Sequence, residues 1–509
     1  MNAYWILGDQ LLPHHPALEA AASEDIFLFI ESAERASHLR YHRHKLILLY
    51  SAMRHRAQEW KDHGRRVEYI SLGQHPNGYA DALLSFVHEH RPETIYVMEP
   101  NEWEMRSILP KLSRKIGLPI QTLPTRQFLV ERESFAAWAD GKKHLLMEHH
   151  YRRERRRLGL LLDREGQPEG GAWNFDADNR QGIREFQKTR PAIPPLTPEP
   201  QDTITRAVMR EVAQHFPDHP GKPETFWLPV TRDRARIWLE RFIEFRLAHF
   251  GPFEDLMVQA QPFLFHSVLS PLLNIGLLTP VECVEAAEKA FREGRAPLAS
   301  VEGFIRQIVG WREFINGVYW LHMPGYRDLN ALGGERPLPR WAYNGETDLN
   351  CVAQTLRQAI DLGYNHHIQR LMVLGNYFLL GAYHPASVVR WFLEMYVDAY
   401  DWVMQPNVLG MVLHADGGLF ATKPYAAGPA YLSRMSDYCK GCRFKPTVKS
   451  GPDACPFHAL YWNFFDRNQQ TFQRNPRIGM MLKTLERMTP SERSRIRRDA
   501  TAFLDAQNG

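Results

Sequence analysis

Four cysteines set the tightest constraint on how this chain can fold. Cys439 and Cys442 form a C-x2-C pair, Cys455 follows after twelve intervening residues, and Cys351 lies far upstream. Soft thiolates in a set of four suit zinc or an iron-sulfur cluster, and the C-x2-C bite lets two sulfurs grip one centre. A small zinc ribbon would keep both pairs local. Here a whole domain must fold before Cys351 reaches the other three, so the set reads as metal or cluster ligands, with buried free thiols as the alternative.

Five cysteines in 509 residues is low usage, and the sequence shows neither a signal peptide nor an apolar run of membrane-spanning length. The chain therefore reads as soluble and intracellular, without disulfides and with no membrane partner. The fifth thiol, Cys283, sits in the helical stretch Val281-Glu282-Cys283-Val284-Glu285 with no second ligand beside it, and reads as core. The length predicts two or more domains. A net charge of +4 and a pI near 8.7 permit nucleic-acid binding without demanding it. The 13 tryptophans suit core packing, stacking on bases or carrying electrons.

Residues 1–130 alternate short apolar runs with helical patterns. Ala3 to Leu7, Ile26 to Ile30, Arg66 to Ile70, Thr94 to Met98 and Pro119 to Leu123 read as strands, with helices such as His44 to Gly64 between them. This is a Rossmann-like α/β domain with a parallel sheet and a ligand crevice at the strand C-termini, where Leu7-Gly8-Asp9-Gln10-Leu11 would lie. No G-x-G-x-x-G or G-x-x-x-x-G-K-[ST] accompanies it, so nucleotide binding of those kinds is not supported. Residues 131–224 read as an interdomain linker: a basic helix, Lys142 to Arg157, is a solvated or interdomain face or else a phosphate-contacting strip, and a Pro-rich stretch, Pro191 to Pro200, follows it. From 225 to 509 the 3.6-residue period dominates, as in Ala235 to Phe250, Cys351 to Leu362, Ala386 to Tyr400 and Met480 to Asn508. The second part is a large all-helical domain, and its iron-sulfur subdomain, about residues 340–509, holds the four cysteines.

Three segments of the helical part carry a resemblance. Phe265-His266-Ser267-Val268-Leu269-Ser270-Pro271 opens a helix with small hydroxyl residues, Phe304-Ile305-Arg306-Gln307-Ile308-Val309-Gly310-Trp311-Arg312-Glu313-Phe314 follows, and then Asn365-His366-His367-Ile368-Gln369-Arg370. In this order they resemble the photolyase/cryptochrome family, and the four cysteines narrow the resemblance to its bacterial iron-sulfur members, the prokaryotic (6-4) group. It runs from Leu7-Gly8-Asp9-Gln10 through Trp173-Asn174-Phe175-Asp176 to Cys455-Pro456-Phe457.

The resemblance implies an N-terminal antenna domain, a helical FAD-binding domain, and light-driven repair of (6-4) photoproducts in UV-damaged DNA by a bacterial, cytoplasmic, monomeric enzyme. Its rivals are a blue-light cryptochrome on the same fold and, more distantly, an iron-sulfur nucleic-acid module like the primase large subunit. His266, Ser267, Leu269, Ser270, Gln307, Trp311 and Arg312 are implied FAD contacts, with Ser267, Leu269 and Ser270 at a helix start suited to the diphosphate. Arg370 should face Asp398 against the flavin N5/O4 edge. Met404, Gln405 and Asn407 compete for the place facing N5. Cys351, Cys439, Cys442 and Cys455 would hold a 4Fe-4S cluster. His367 is the expected proton donor, because an imidazole pKa sits near the working pH, while His366 reads as structural. The position of a second active-site histidine is Leu371. Tyr425 is implied in the lesion pocket. Ile308 stands where cyclobutane-dimer enzymes carry a Glu, which disfavours that substrate. Trp391, Tyr400 and Tyr343 are the expected electron route, with Tyr343 in place of a relay tryptophan and Trp341 close by. Gly8, Asp9, Gln10, Glu31 and Leu49 are the expected contacts of a 6,7-dimethyl-8-ribityllumazine antenna, although Arg35 takes the position of a common Glu contact.

Overall fold

The computed structural model describes residues 1–75, 78–419 and 421–507. Five parallel strands, β1 Ala3–Ile6, β2 Ile26–Ile30, β3 Arg66–Ile70, β4 Ile95–Met98 and β5 Ile120–Leu123, form one sheet in the order β3-β2-β1-β4-β5. The boundaries match the sequence reading to within a residue. Period-2 geometry sends alternate side chains to opposite faces, and both faces are covered. In β1, Ala3 and Trp5 join Leu83, Phe86 and Leu109 of the helices Tyr79–His90 and Trp103–Ile116, whereas Tyr4 and Ile6 join Phe27, Phe29 and Trp60 in the main core. Trp60 lies on the long helix Arg43–Asp62, which fills the second face.

After β5 the regular elements of the described chain are all helices. Three patterns read as single helices are broken by identifiable chemistry. Ala235 to Phe250 divides at Arg246, Ala386 to Tyr400 stops at Met395 and passes into a turn at Val397 and Asp398, and Met480 to Asn508, whose last residue lies outside the described ones, is two helices, Gly479–Glu486 and Pro490–Ala506. The last break is a capping box, in which Thr489 and Glu492 satisfy each other's backbone N–H groups ahead of Pro490. The basic helix spans Met147–Leu158. His150, Glu154 and Arg155 are buried, and Arg152 and Arg157 pair with Glu148 and Glu154 along the helix, so it packs as an interior face. The Pro-rich stretch lies on the surface as a strap: the Pro194 carbonyl accepts from Arg246, and buried Glu199 accepts from Arg234 and Trp238.

Backbone and side chains weld the α/β domain to the helical part. Buried Lys45 donates to the Ala399 carbonyl, His42 bonds the Ile360 carbonyl, and Asp401 N–H donates to Glu102. Trp103 N–H donates to the Tyr319 hydroxyl, which donates to Asp401. Among the described residues no helix is long and apolar enough to cross a membrane.

Candidate functional site

Three π-helical turns, Arg306–Arg312, Gln369–Gly375 and Gln405–Val412, interrupt the helices that carry the family-like segments. Such turns widen a helix by one residue and displace side chains from their normal stripe. The second and third pack directly together: a Cβ on Gly375 would meet Val412 at 2.5 Å and the Arg370 carbonyl at 2.7 Å, so only glycine permits the approach.

Arg370 lies at the heart of this region. Its guanidinium makes a two-pronged pair with Asp398, 2.9 and 3.1 Å, donates to the Asn365 carbonyl at 2.8 Å, and covers the Tyr396 ring at 3.9 Å. The fork geometry matches the carboxylate and adds specificity to the charge attraction. Asp398 also accepts from the Ser270 hydroxyl at 2.7 Å. The Ser270 side chain is thus engaged by Asp398, which leaves its backbone N–H as the group for the expected phosphate contact. The expected helix is a single turn, Ser270–Asn274, begun by Pro271 and ended before Gly276, whose φ is +82°. Its dipole is correspondingly small. Leu269 is buried, and Ser267 lies half-exposed at the turn, beside Val268 at a φ of +56°.

Three histidines gather beside Arg370. The rings of His266 and His366 stack in parallel, 4.4 Å apart, and His367 is close enough to both to depress their pKa values. His366 is buried, and neither of its ring nitrogens has a partner among the described residues. His367 is solvent-accessible although protein surrounds it closely, as on the wall of a recess. Desolvation, then the Arg370 charge, pull its pKa to about 4.

Tyr425 stands half-buried within the fields of Arg180, Arg477, Asp176 and Asp255. Asp176 ties the zone together by pairing with Arg306 and, at 2.7 Å, with Arg180. Asp176, Arg180 and Arg306 gather around Tyr425 without having been candidates in the sequence reading; Trp173-Asn174-Phe175-Asp176 was the available signal. Neighbouring Glu254 is raised to about 8 by burial and by Asp255, so it is protonated at neutral pH. Ile308 is buried and offers no polar group, and Gln307 is exposed with its amide returned to the Gly303 carbonyl. Arg312 does not join the cleft. It pairs with Glu313 at 2.7 Å, donates to the Gln127 carbonyl, and lies over Phe128 and Trp402. Because Glu313 also accepts from Leu129 and Val130 N–H, this pair clamps the chain leaving β5. Trp311 is half-buried against Phe314. Met404 is core, Gln405 donates to Asp401, and Asn407 returns its amide to the Val403 carbonyl.

Trp391 is fully buried, with its ring 5.8 Å from that of Tyr396 and its indole N–H donated to the Ala342 carbonyl at 2.9 Å. Ala342 stands between Trp341 and Tyr343. Tyr396 therefore stands between Trp391 and Arg370. Tyr400 lies instead in the wall of the strand-end crevice, with Lys45 4.6 Å above its ring.

That crevice is a cavity lined by Gly8, Asp9, Leu49, Arg35, Lys45 and Tyr400 among others. A Cβ on Gly8 would strike Met53 at 2.8 Å and Leu49 at 3.0 Å. Burial and the Glu102 charge raise Asp9 to about 7, and Arg35 is matched by Glu102 and Glu104 at 3.2 and 2.8 Å. Gln10 and Glu31 are not in it. Gln10 is buried and bonds the Met98 and Glu99 carbonyls, and Glu31 is held by Arg54, Tyr69 and Leu72 N–H.

Cys351 begins the helix Asn350–Leu362, Cys439 lies in the turn Tyr438–Gly441 with Cys442 at its end, and Cys455 caps the helix Pro456–Arg467. Burial, then the charges of the other three thiols, raise the Cys351 pKa, so fold closure does bring the distant residue to the rest. No group of three or more such residues, among those described, is close enough to hold a single metal ion. Cys283 is fully buried in the core, as its helical setting predicts.

A family profile described as "Deoxyribodipyrimidine photo-lyase-related protein" matches residues 4–228. A (6-4) photolyase of Agrobacterium fabrum is 43% identical over 502 residues, covering 98% of each chain. Among solved structures, a bacterial class III photolyase from Agrobacterium tumefaciens aligns with a TM-score of 0.54 at 17% identity, over 97% of this chain and 88% of that one. The cryptochrome of Synechocystis sp. PCC6803 aligns with a TM-score of 0.57 at 13% identity, over 84% and 85%. At such identities these two structures speak to the fold alone.

Proposed function

The chain belongs to the photolyase/cryptochrome family, and from that premise we propose that it is a light-driven (6-4) photolyase, with FAD in the cleft beside Arg370 and UV-damaged DNA as substrate. The observation that carries the reading is the Arg370–Asp398 pair with His367 opening onto the same cleft. FAD fits these residues: a buried guanidinium matched by one carboxylate can steady an anionic reduced flavin, and Ser267 and the backbone N–H groups around Leu269 are left for the diphosphate. When bound, FAD supplies the light-driven electron. The protein's own part is to hold the flavin edge, exclude water, and present a proton at His367 to the lesion, with Tyr425 and the Arg180–Asp176 pair at the pocket mouth. The lesion enters as a flipped dinucleotide, whose damaged pairing makes extrusion less costly. Phosphate contacts make the binding salt-sensitive.

Illuminated with blue light, reduced enzyme is expected to restore an oligonucleotide carrying a (6-4) lesion and to leave a cyclobutane dimer untouched, because Ile308 offers that substrate no carboxylate. Repair of the dimer alone would reverse the substrate assignment, and light signalling without any repair would favour the cryptochrome reading.

The four cysteines are assigned to a 4Fe-4S cluster and the strand-end cavity, through Gly8, Asp9 and Leu49, to a lumazine antenna. Iron and acid-labile sulfide analysis of anaerobically purified protein should give about four of each per chain. Cys351→Ala should cost the protein its solubility, because the cluster joins segments far apart in sequence. Stoichiometric zinc without sulfide would refute the cluster.

A further inference from the structure

A chain of buried hydrogen bonds joins the cysteine turn to the helix start that presents His367. Helical geometry begins at His367, so His366 is the residue just before the first turn and Gln369 is the third residue within it. The Gln369 side chain reaches back to accept the His366 N–H at 3.1 Å, which is one half of a capping box. The other half is missing, because neither ring nitrogen of His366 has a partner among the described residues. Gln369 is 1% exposed, and its amide is fully committed. Its carbonyl oxygen also accepts from Gln358 at 3.2 Å, and its NH2 group donates to the Gln358 carbonyl oxygen at 2.9 Å and to the Tyr438 hydroxyl at 3.0 Å. An amide side chain has two donors and two acceptor sites, so all four are used and its orientation is fixed.

Tyr438 ties that amide to the cysteines. It is 2% exposed and opens the turn Tyr438–Gly441 beside Cys439, and its carbonyl accepts at 2.7 Å from Asn350, the residue before Cys351. Arg370 is anchored separately: its Nε donates to the Asn365 carbonyl at 2.8 Å, and the Asn365 amide donates to the Thr355 carbonyl at 3.2 Å. The Arg370–Asp398 pair therefore does not depend on the Tyr438 hydroxyl. We propose that Gln369 and Tyr438 are positioning residues for His367, through which the cysteine-bearing segment sets the place of the proton donor for repair. The first N–H groups of a helix have no acceptor within it, so without the Gln369 clasp His366 and His367 are free to fray. A general acid must lie within hydrogen-bond reach of the atom it protonates, and a displacement of about 1 Å can cost about a hundredfold in rate.

The inference rests on the repair reading above. Tyr438→Phe tests it in the holoenzyme, because it keeps the ring and removes only the hydroxyl. FAD content, iron content and lesion Kd should match the unaltered protein, while single-turnover repair under light falls by about ten- to a hundredfold. Gln369→Leu should fall at least as far, and the double variant should fall no further than Gln369→Leu alone, since both changes break one linkage. Added to His367→Ala, Tyr438→Phe should leave the residual repair unchanged, because the hydroxyl acts through that histidine. Hydrogen exchange at the His366 amide should speed up in both single variants. Unaltered repair in Tyr438→Phe, an equal slowing in the His367→Ala background, or a loss that merely follows FAD or iron content would overturn the assignment. The two readings fail differently. If the unaltered holoenzyme repairs no (6-4) lesion while Tyr438→Phe still speeds exchange at His366, the repair reading falls and the anchoring of His367 stands. If repair proceeds and ignores both variants, this inference falls alone.

Discussion

His367→Ala is expected to reduce (6-4) repair by about two to four orders of magnitude, the range of a lost general acid, while FAD content and lesion affinity stay nearly unchanged. With a pKa of about 4 the imidazole is neutral near pH 7 in the ligand-free protein, so its removal takes no charge away from Arg370 or from the DNA. The donating form is the protonated one. Negative charge brought by DNA phosphates and a reduced flavin must raise this pKa, because two opposing causes, desolvation and Arg370, hold it down. Repair should therefore fall as pH rises through a midpoint above 4, and that limb should vanish in the variant. Measured by single-turnover repair across pH, retained repair in His367→Ala would remove the residue from the mechanism.

Much of this protein was legible in its sequence, for reasons that differ by region. The strands could be read because a sheet buried on both faces needs consecutive apolar residues, as in Ile26-Phe27-Leu28-Phe29-Ile30, and few other structures do. Arg370 and Asp398 could be paired because the family resemblance implies an Arg and an Asp at this separation, and a buried charge needs its opposite. What stayed hidden depends on local geometry that residue types do not encode. Nothing in Arg306-Gln307-Ile308-Val309-Gly310-Trp311-Arg312 announces a π-helical turn, nor that Arg312 at its end would pair with Glu313 and the Gln127 carbonyl. Glu31 looked like a crevice residue because it ends β2, but Tyr69 and Arg54 capture it on the neighbouring strand and helix. Tyr396 escaped notice because its partners, Trp391 and Arg370, lie on two different elements, and spacing along one helix cannot reveal that. The cysteines are a different case: the reading that Cys351 must reach the other three across a folded domain meets their presence beside it in the structure.

Asp398→Ala is expected to destabilise the protein by about 3–5 kcal/mol, because removing one partner strands a buried charge. Arg370 keeps only the Asn365 carbonyl and the Tyr396 face, and the Ser270 hydroxyl loses its acceptor. A buried pair is costly to halve but often nearly neutral to replace whole by apolar residues of similar volume. Combining Arg370→Met with Asp398→Leu should therefore recover most of the lost stability in chemical denaturation, without recovering flavin function. If the pair serves only packing, the double variant will bind FAD and hold the reduced flavin as the unaltered protein does. If the pair serves the flavin, the double variant will be folded and stable but will fail to accumulate reduced FAD under light. A single variant costing less than about 1 kcal/mol, the worth of an exposed ion pair, would mean that water reaches the pair and that the cleft is not the closed, low-dielectric site this reading requires.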